Sequence, residues 1–244
     1  MDAIQFSKGN GILVLPCGGG KSGAIVDACL KAGTLGLILC YESQGVHQMA
    51  QLLEEHTSLC NSQICVHCGN RRDPYDKNFC FFITTYGMFS KATSSSGEAS
   101  NEARKFVFET PWDLVCLDEF HHANAKTYEP MIRRLATRAK RMLGFTATLY
   151  RSELRAFGPH NSLEHEERAF GWFGPVIFRR RTKDLEDVGL IAKIKRATVR
   201  TAFTREFAIA YREAVGVQNI YLAALNPNKL NALVAICAQH VAAG

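Results

Sequence analysis

The stretch LVLPCGGGKSG, residues 13–23, decides how the chain is read. An apolar run, Ile12–Leu15, leads into a turn, Pro16–Gly20, and then into a segment from Ser22 to Lys31 with the makings of a helix. Strand, glycine turn and helix in that order is the setting of a phosphate-binding loop. Gly18, Gly19 and Gly20 let backbone N–H groups curl around an anion without Cβ clashes. The helix beginning near Lys21 adds its positive end. In that setting Lys21 reaches the β- and γ-phosphates of a nucleotide and Ser22 holds Mg2+. The strict pattern G-x-x-x-x-G-K-[ST] is not met, because Leu15 stands where the first glycine belongs. For this stretch alone, a glycine-rich turn with an exposed lysine stays open as the other reading.

Two further stretches bear on the choice. In WDLVCLDEFHH, residues 112–122, an apolar strand ends in Asp118 and Glu119. A carboxylate at the end of a buried strand, in the same sheet as the loop, can hold Mg2+ through water, and its neighbour can draw a proton from attacking water. An ordinary acidic strand end is the plain alternative, and its co-occurrence with the loop weakens it. In GFTATLY, residues 144–150, a short strand ends in Thr146-Ala147-Thr148. Hydroxyls flanking an alanine can link the metal-site carboxylates to a neighbouring surface, but the tripeptide alone carries almost no information.

Working outward, short apolar runs occur at Ile12–Leu15, Leu35–Cys40, Gln63–His67, Phe79–Thr84, Leu114–Leu117 and Arg141–Phe145. Most are continuously apolar, as strands buried on both faces are. Between the second and third, Val46, Met49, Ala50 and Leu53 share the spacing of one helical face. Strand and helix alternate, which predicts an α/β domain with a mostly parallel sheet flanked by helices. Residues 92–104, rich in serine and small polar side chains, read as a surface loop between core strands. After Thr148 the character changes: residues 151–175 are charged, 176–200 more basic, and 203–244 helical with a break at Asn226-Pro227. This divides the chain into residues 1–185 and 186–244.

The bulk properties fit a soluble intracellular protein. Hydrophobic residues make up 47% and charged residues 21%, ordinary for a globular fold. A net charge of +6 permits contact with a polyanion without demanding it. Cysteines inside apolar runs, such as Cys29, Cys40 and Cys116, suit a reducing compartment. The opening residues do not form a secretory signal, and no apolar stretch reaches the ~18 residues of a membrane helix. Cys60, Cys65, Cys68 and Cys80 have the look of a zinc knuckle at Cys65-Val-His-Cys68, but no second close pair follows, so strand cysteines are preferred to zinc. Arg179-Arg180-Arg181 with Lys183 fits a nucleic-acid backbone or a solvated edge strand, and the edge strand is favoured. Arg71-Arg72 in a loop, and His160 and His165 among acids, read as surface.

The ordered set LPCGGGKS, DEFH and TAT resembles a superfamily 2 helicase or translocase. Within that group the chain resembles the XPB family, the DNA translocases of the transcription and repair factor TFIIH. The matching words are GILVLPCGGGKS, SQIC, ITTYGMF, LDEFHHANAK, LGFTATL, GLIAKI, EFAIAYREA and NPNKLNALV, in the family's order over nearly the whole chain. The phosphate loop of that family itself begins Leu-Pro-Cys-Gly, so the missing first glycine is expected there.

The resemblance implies a RecA-like ATP-binding motor domain and the first part of a second one. It assigns Pro16, Cys17, Gly18, Gly19, Gly20, Lys21 and Ser22 to ATP. It gives Ser22 and Asp118 to Mg2+, Glu119 to the attacking water, and His121 to coupling hydrolysis with domain movement. Thr146, Ala147 and Thr148 become the link between ATP and DNA, and Thr84, Thr85 and Tyr86 line a DNA strand. Arg151 is kept from an Arg-Glu-Asp motif tied to unwinding, but here the motif reads Arg151-Ser152-Glu153, a departure that fits a divergent repair-type paralogue. The remainder of the second motor domain with its arginine finger, an upstream glutamine motif and a damage-recognition region are expected outside the 244 residues. Duplex DNA, other TFIIH or excision-repair subunits and a nuclear location follow from the same resemblance. The competing expectations are another superfamily 2 motor, restriction-type or RNA helicase, and a noncatalytic repair scaffold.

Overall fold

A computed structural model describes residues 9–32, 35–69, 71–74, 79–90, 98–123, 125–149, 171–193 and 198–242. Arg151, Ser152, Glu153, His160, His165 and residues 92–97 of the serine-rich stretch lie outside these. Contacts divide the chain into two compact units, Met1–Lys193 and Ile194–Gly244, so residues 186–193 stay with the first.

The first unit is built on one sheet. Its strands are β1 (Gly11–Val14), β2 (Gly36–Cys40), β3 (Ile64–Cys68), β4 (Arg71–Arg72), β5 (Phe81–Thr85), β6 (Leu114–Leu117), β7 (Met142–Thr146) and β8 (Val176–Arg179). The order across the sheet is β4-β3-β5-β2-β6-β7-β1-β8, and every pairing is parallel except β3 with β4. The six apolar runs of the sequence coincide with six of these strands to within two residues at either end.

Both faces of the sheet are covered, which is why those runs do not alternate. On one face Leu13, Ile38, Val66, Ile83, Cys116 and Phe145 meet α1 (Lys21–Ala32) and α2 (Ser43–His56). The four α2 side chains buried there are Val46, Met49, Ala50 and Leu53, the set its spacing predicts. On the other face Ile12, Leu37, Phe82, Val115 and Leu117 meet α4 (Glu98–Glu109) and α5 (Glu129–Ala136). A short helix, α3 (Tyr86–Ser90), follows β5 directly. The same alternation puts Cys65 in one core and Cys68 in the other, so strand geometry keeps their thiols from converging on one ion.

Two expectations are revised, and the Arg179–Arg181 cluster falls at the edge strand favoured for it. Residues 98–104 belong to α4 rather than a loop; Ala103, Val107 and Phe108 are buried on its inner face. Arg71-Arg72 forms the antiparallel edge β4, and Arg71 is held by Asp73 at 2.9 Å. At the opposite edge, Arg179 ends β8 and Arg180 N–H donates to the Val14 carbonyl. Arg181 precedes the helix Thr182–Asp187 and pairs with Asp184 at 3.0 Å.

The second unit holds helices Arg205–Glu213, Val217–Leu225 and Pro227–Ala242. Buried Asn226 makes the break: its side-chain oxygen accepts from Asn228 N–H and its amide donates to the Ala202 carbonyl, while Pro227 takes the first helical position.

One glycine ties the sheet to the acidic turn. A Cβ on Gly144 of β7 would lie 2.5 Å from the ring of Phe120, which is fully buried one residue after Glu119. Gly144→Ala is therefore expected to lower unfolding free energy by about 1–3 kcal/mol. Gly23→Ala, in helix α1 with nothing within 4 Å of its Cβ, is expected to raise it by about 0.5–1 kcal/mol. Urea denaturation of the two variants checks the contrast in sign.

Candidate active site

The candidate residues gather where β6, β7 and β1 end side by side, since parallel strands deliver their carboxyl ends to one edge. The glycine loop leaves β1, the acids leave β6, and Thr146 closes β7 between them. Leu15 N–H donates to the Thr146 carbonyl at 2.9 Å and Asp118 N–H to the Leu39 carbonyl at 2.9 Å, so each loop is pinned to its neighbour strand.

The loop has the backbone its glycines permit. Gly18 and Gly20 adopt φ of +73° and +85°. A Cβ on Gly19 would fall 2.8 Å from the Pro16 carbonyl oxygen, which accepts Gly19 N–H. Helix α1 begins at Lys21, and Ala24 N–H closes its first turn on the Gly20 carbonyl. Cys17, Gly18, Gly20 and Ser22 are exposed, so the loop and the helix start are open to a ligand. Left-handed glycines, a helix N-terminus and a lysine in its first turn form a donor set that fits a nucleotide's phosphates. Ser22 and Asp118 offer the hydroxyl and carboxylate oxygens suited to Mg2+.

Glu119 is the hub. It is the one non-glycine residue with positive φ among the described residues, at φ 48°. That conformation costs on the order of 1 kcal/mol or more and turns the side chain back across the strand ends. Lys21 Nζ donates to Glu119 Oε1 at 2.8 Å, and His121 Nδ1 lies 3.3 Å from Oε2. His121 Nδ1 is also 3.0 Å from Thr146 Oγ1. That hydroxyl donates to the Thr148 carbonyl at 2.6 Å, so toward His121 it can only accept, and Nδ1 carries the proton. The loop, the acids and the end of β7 are thus joined by one line of polar contacts.

The two carboxyls are pushed apart in acidity. The hydrogen bond from His121, followed by the bond and charge of Lys21, holds Glu119 down at about 2. Asp118 moves the other way, raised first by burial and then by the charge of Glu119. Beside them a cleft of about 540 Å3 opens between the ends of β2 and β6, walled by Tyr41, Glu42, Gln48, Asp118, Glu119 and His122. The glycine loop, two strands from β6, is not among its walls. Tyr41 and His122 stack at 3.7 Å, 5° from parallel, on its rim.

Thr84, Thr85 and Tyr86 stand apart from the surface role that the sequence resemblance gives them. Thr84 and Tyr86 are fully enclosed and Thr85 nearly so, because β5 is an interior strand covered on both faces. Tyr86 is instead a strut: its hydroxyl donates to the Asp118 carbonyl at 2.8 Å, and burial keeps the phenol protonated. Neither this strut nor the Tyr41–His122 stack is marked in the sequence, since each rests on one aromatic residue with no spacing pattern. Ala147 is half-buried and Thr148 exposed; Arg151 lies outside the described residues.

A glycine loop, paired acids and a hydroxyl-bearing strand end on adjacent parallel strands define a RecA-like P-loop NTPase domain. The chain belongs to the family described as type III restriction enzyme, res subunit, which matches residues 1–151. It is similar to the TFIIH helicase/translocase subunit XPB of Danio rerio, 31% identical over 91% of the chain and 27% of that protein. The XPB subunit of Drosophila melanogaster is 29% identical over 90% of the chain and 26% of its own length. The chain spans about a quarter of the length of these relatives. Among solved structures, the Hef helicase domain of Pyrococcus furiosus shares the fold with a TM-score of 0.57 and 20% identity, over 86% of this chain and 42% of that one. The restriction-modification enzyme LlaGI, solved with a DNA substrate mimic, aligns with a TM-score of 0.50 and 13% identity over 83% of this chain and 20% of its own.

The depressed acidity of Glu119 has a sign that can be checked. Its folded value lies below its ordinary value near 4.5, so the stability it contributes is present above that value and is lost as pH falls toward about 2. A carbon-detected NMR titration should show the Glu119 carboxyl ionised to the acid end of that window. Lys21→Ala and His121→Ala should each move its midpoint upward, and an unmoved midpoint in both would remove the hub role.

Proposed function

We propose that the chain carries the first motor domain of an XPB-type DNA helicase or translocase and the start of the second, with the boundary near residues 185–193. ATP with Mg2+ binds on the Pro16–Ser22 loop. Lys21 contacts its phosphates, Ser22 and Asp118 hold the metal, and Glu119 orients and deprotonates the attacking water. His121 and Thr146 carry the change at Glu119 to the end of β7, and the Ala147-Thr148 turn passes it toward bound duplex DNA. The longer protein works in excision repair or transcription initiation in the nucleus, with partners of the TFIIH type. The similarity to XPB subunits, reaching nine-tenths of the chain, supports this assignment.

The observation that carries the reading is the continuous contact from Lys21 through Glu119 and His121 to Thr146. A scaffold that merely kept the fold would have no need to hold a strained Glu119 in that line. In the second unit Ile220, Tyr221, Leu225, Leu230 and Leu233 are exposed, apolar area that the rest of a second motor domain would cover.

The 244-residue chain on its own is expected to bind ATP weakly and turn it over very slowly. Transition-state stabilisation by an arginine of the second motor domain is commonly worth about 10³ or more in rate. Steady-state phosphate release with and without duplex DNA measures this; fast DNA-stimulated turnover by the chain alone would overturn the division of labour. Stimulation of the longer protein by RNA rather than DNA would overturn the substrate.

A further inference from the structure

On the sheet face away from α1 and α2, a recess of about 400 Å3 lies between α4 and α5. Its lining includes Arg104, Phe108, Lys126, Thr127, Met131 and Arg134, with no acidic residue. Phe108 and Met131 are buried and form an apolar floor. Arg134 and Arg104 both lie over the Phe108 ring, at 4.4 Å and 5.8 Å from its centroid.

Nearby cations find carboxylates. Arg133, one residue from Arg134, pairs with Glu129 at 2.9 Å, and Lys140 pairs with Asp113 at 2.6 Å. Among the described residues, Arg104, Lys126 and Arg134 make no such side-chain pair. Three like charges gathered around one recess repel one another, and an anion entering it relieves that cost. A ring beneath a guanidinium fixes its plane and leaves its donor edge outward, the geometry that takes a carboxylate with two parallel bonds.

We propose that the recess between α4 and α5 docks an acidic peptide segment of a partner protein. Carboxylates of the segment engage Arg104, Arg134 and Lys126, and an apolar side chain between them fills the recess against exposed Pro130 above the Phe108–Met131 floor. The shape favours a peptide over a nucleic-acid backbone. The cations rim a concavity rather than project from a ridge, and a sugar-phosphate chain has no protruding apolar side chain to enter it. Arginine clusters that read acidic motifs work by the same chemistry. The site is separate from the nucleotide loop and does not depend on the function proposed above.

The test is fluorescence anisotropy of the 244-residue chain with a labelled octapeptide, Glu-Glu-Leu-Glu-Glu-Leu-Glu-Glu. Saturable binding is expected, weakened at least about tenfold by Arg134→Gln and by Arg104→Gln. Lys126→Ala is expected to weaken it too, and this exposed side chain can be removed without disturbing the core. The same peptide with Gln for Glu should not bind, and a twelve-base-pair duplex should not displace it. Absence of saturable binding, or binding indifferent to all three variants, overturns the proposal. Displacement by the duplex with the same variant sensitivity overturns it in favour of a nucleic-acid surface.

Discussion

The ion pair between Lys21 and Glu119 is the joint on which the site depends. It bridges the ends of β1 and β6 across β7, at 2.8 Å, between a largely shielded lysine and a half-buried carboxylate. Such a pair is worth more than an exposed surface bridge, because water screens it less. It also has a cost for function. The lysine that would meet a nucleotide's phosphates is already engaged, so a phosphate must compete with Glu119 for it. Under the proposed function, the same exchange would free Glu119 for a water molecule, and the pair would connect the filling of the loop with the release of the acid.

Asp118 and Glu119 are neighbours in the chain but not equivalent in acidity. Asp118 follows β6 directly, and its carboxyl is mostly enclosed, so burial and the neighbouring charge raise it. Glu119 is turned away by its left-handed backbone toward His121 and Lys21, which lower it. Two groups with opposed environments can take two roles, one toward a metal and one toward a proton. Phe120, packed where Gly144 leaves room for its ring, fixes the turn that separates them.

Much of this was legible in the sequence. The parallel strands could be read because helices cover both faces of the sheet, and a strand so enclosed must be apolar along its whole length between turns. The glycine turn and the paired acids could be picked out as residue types at strand ends, although Leu15 breaks the strict loop pattern; Thr146-Ala147-Thr148 gained its weight only from the family resemblance. Helix α4 was hidden by its own start: serine-rich composition suggests a loop, and its apolar face at Ala103, Val107 and Phe108 comes only in its later turns. Strand β4 was too short to show a period. The burial of Tyr86 could not be read, because whether a side chain at a strand end faces solvent or the core depends on which strands flank it. That order, β3-β5-β2, is a tertiary fact.

The central claim is that Glu119 and a nucleotide's phosphates compete for Lys21. It is tested most directly by calorimetric titration of a non-hydrolysable ATP analogue with Mg2+ into the wild-type chain and into Glu119→Gln. With the competing carboxylate neutralised, the variant should bind the analogue more tightly than wild type. Equal or weaker binding by Glu119→Gln, in a variant of unchanged fold, would contradict the claim.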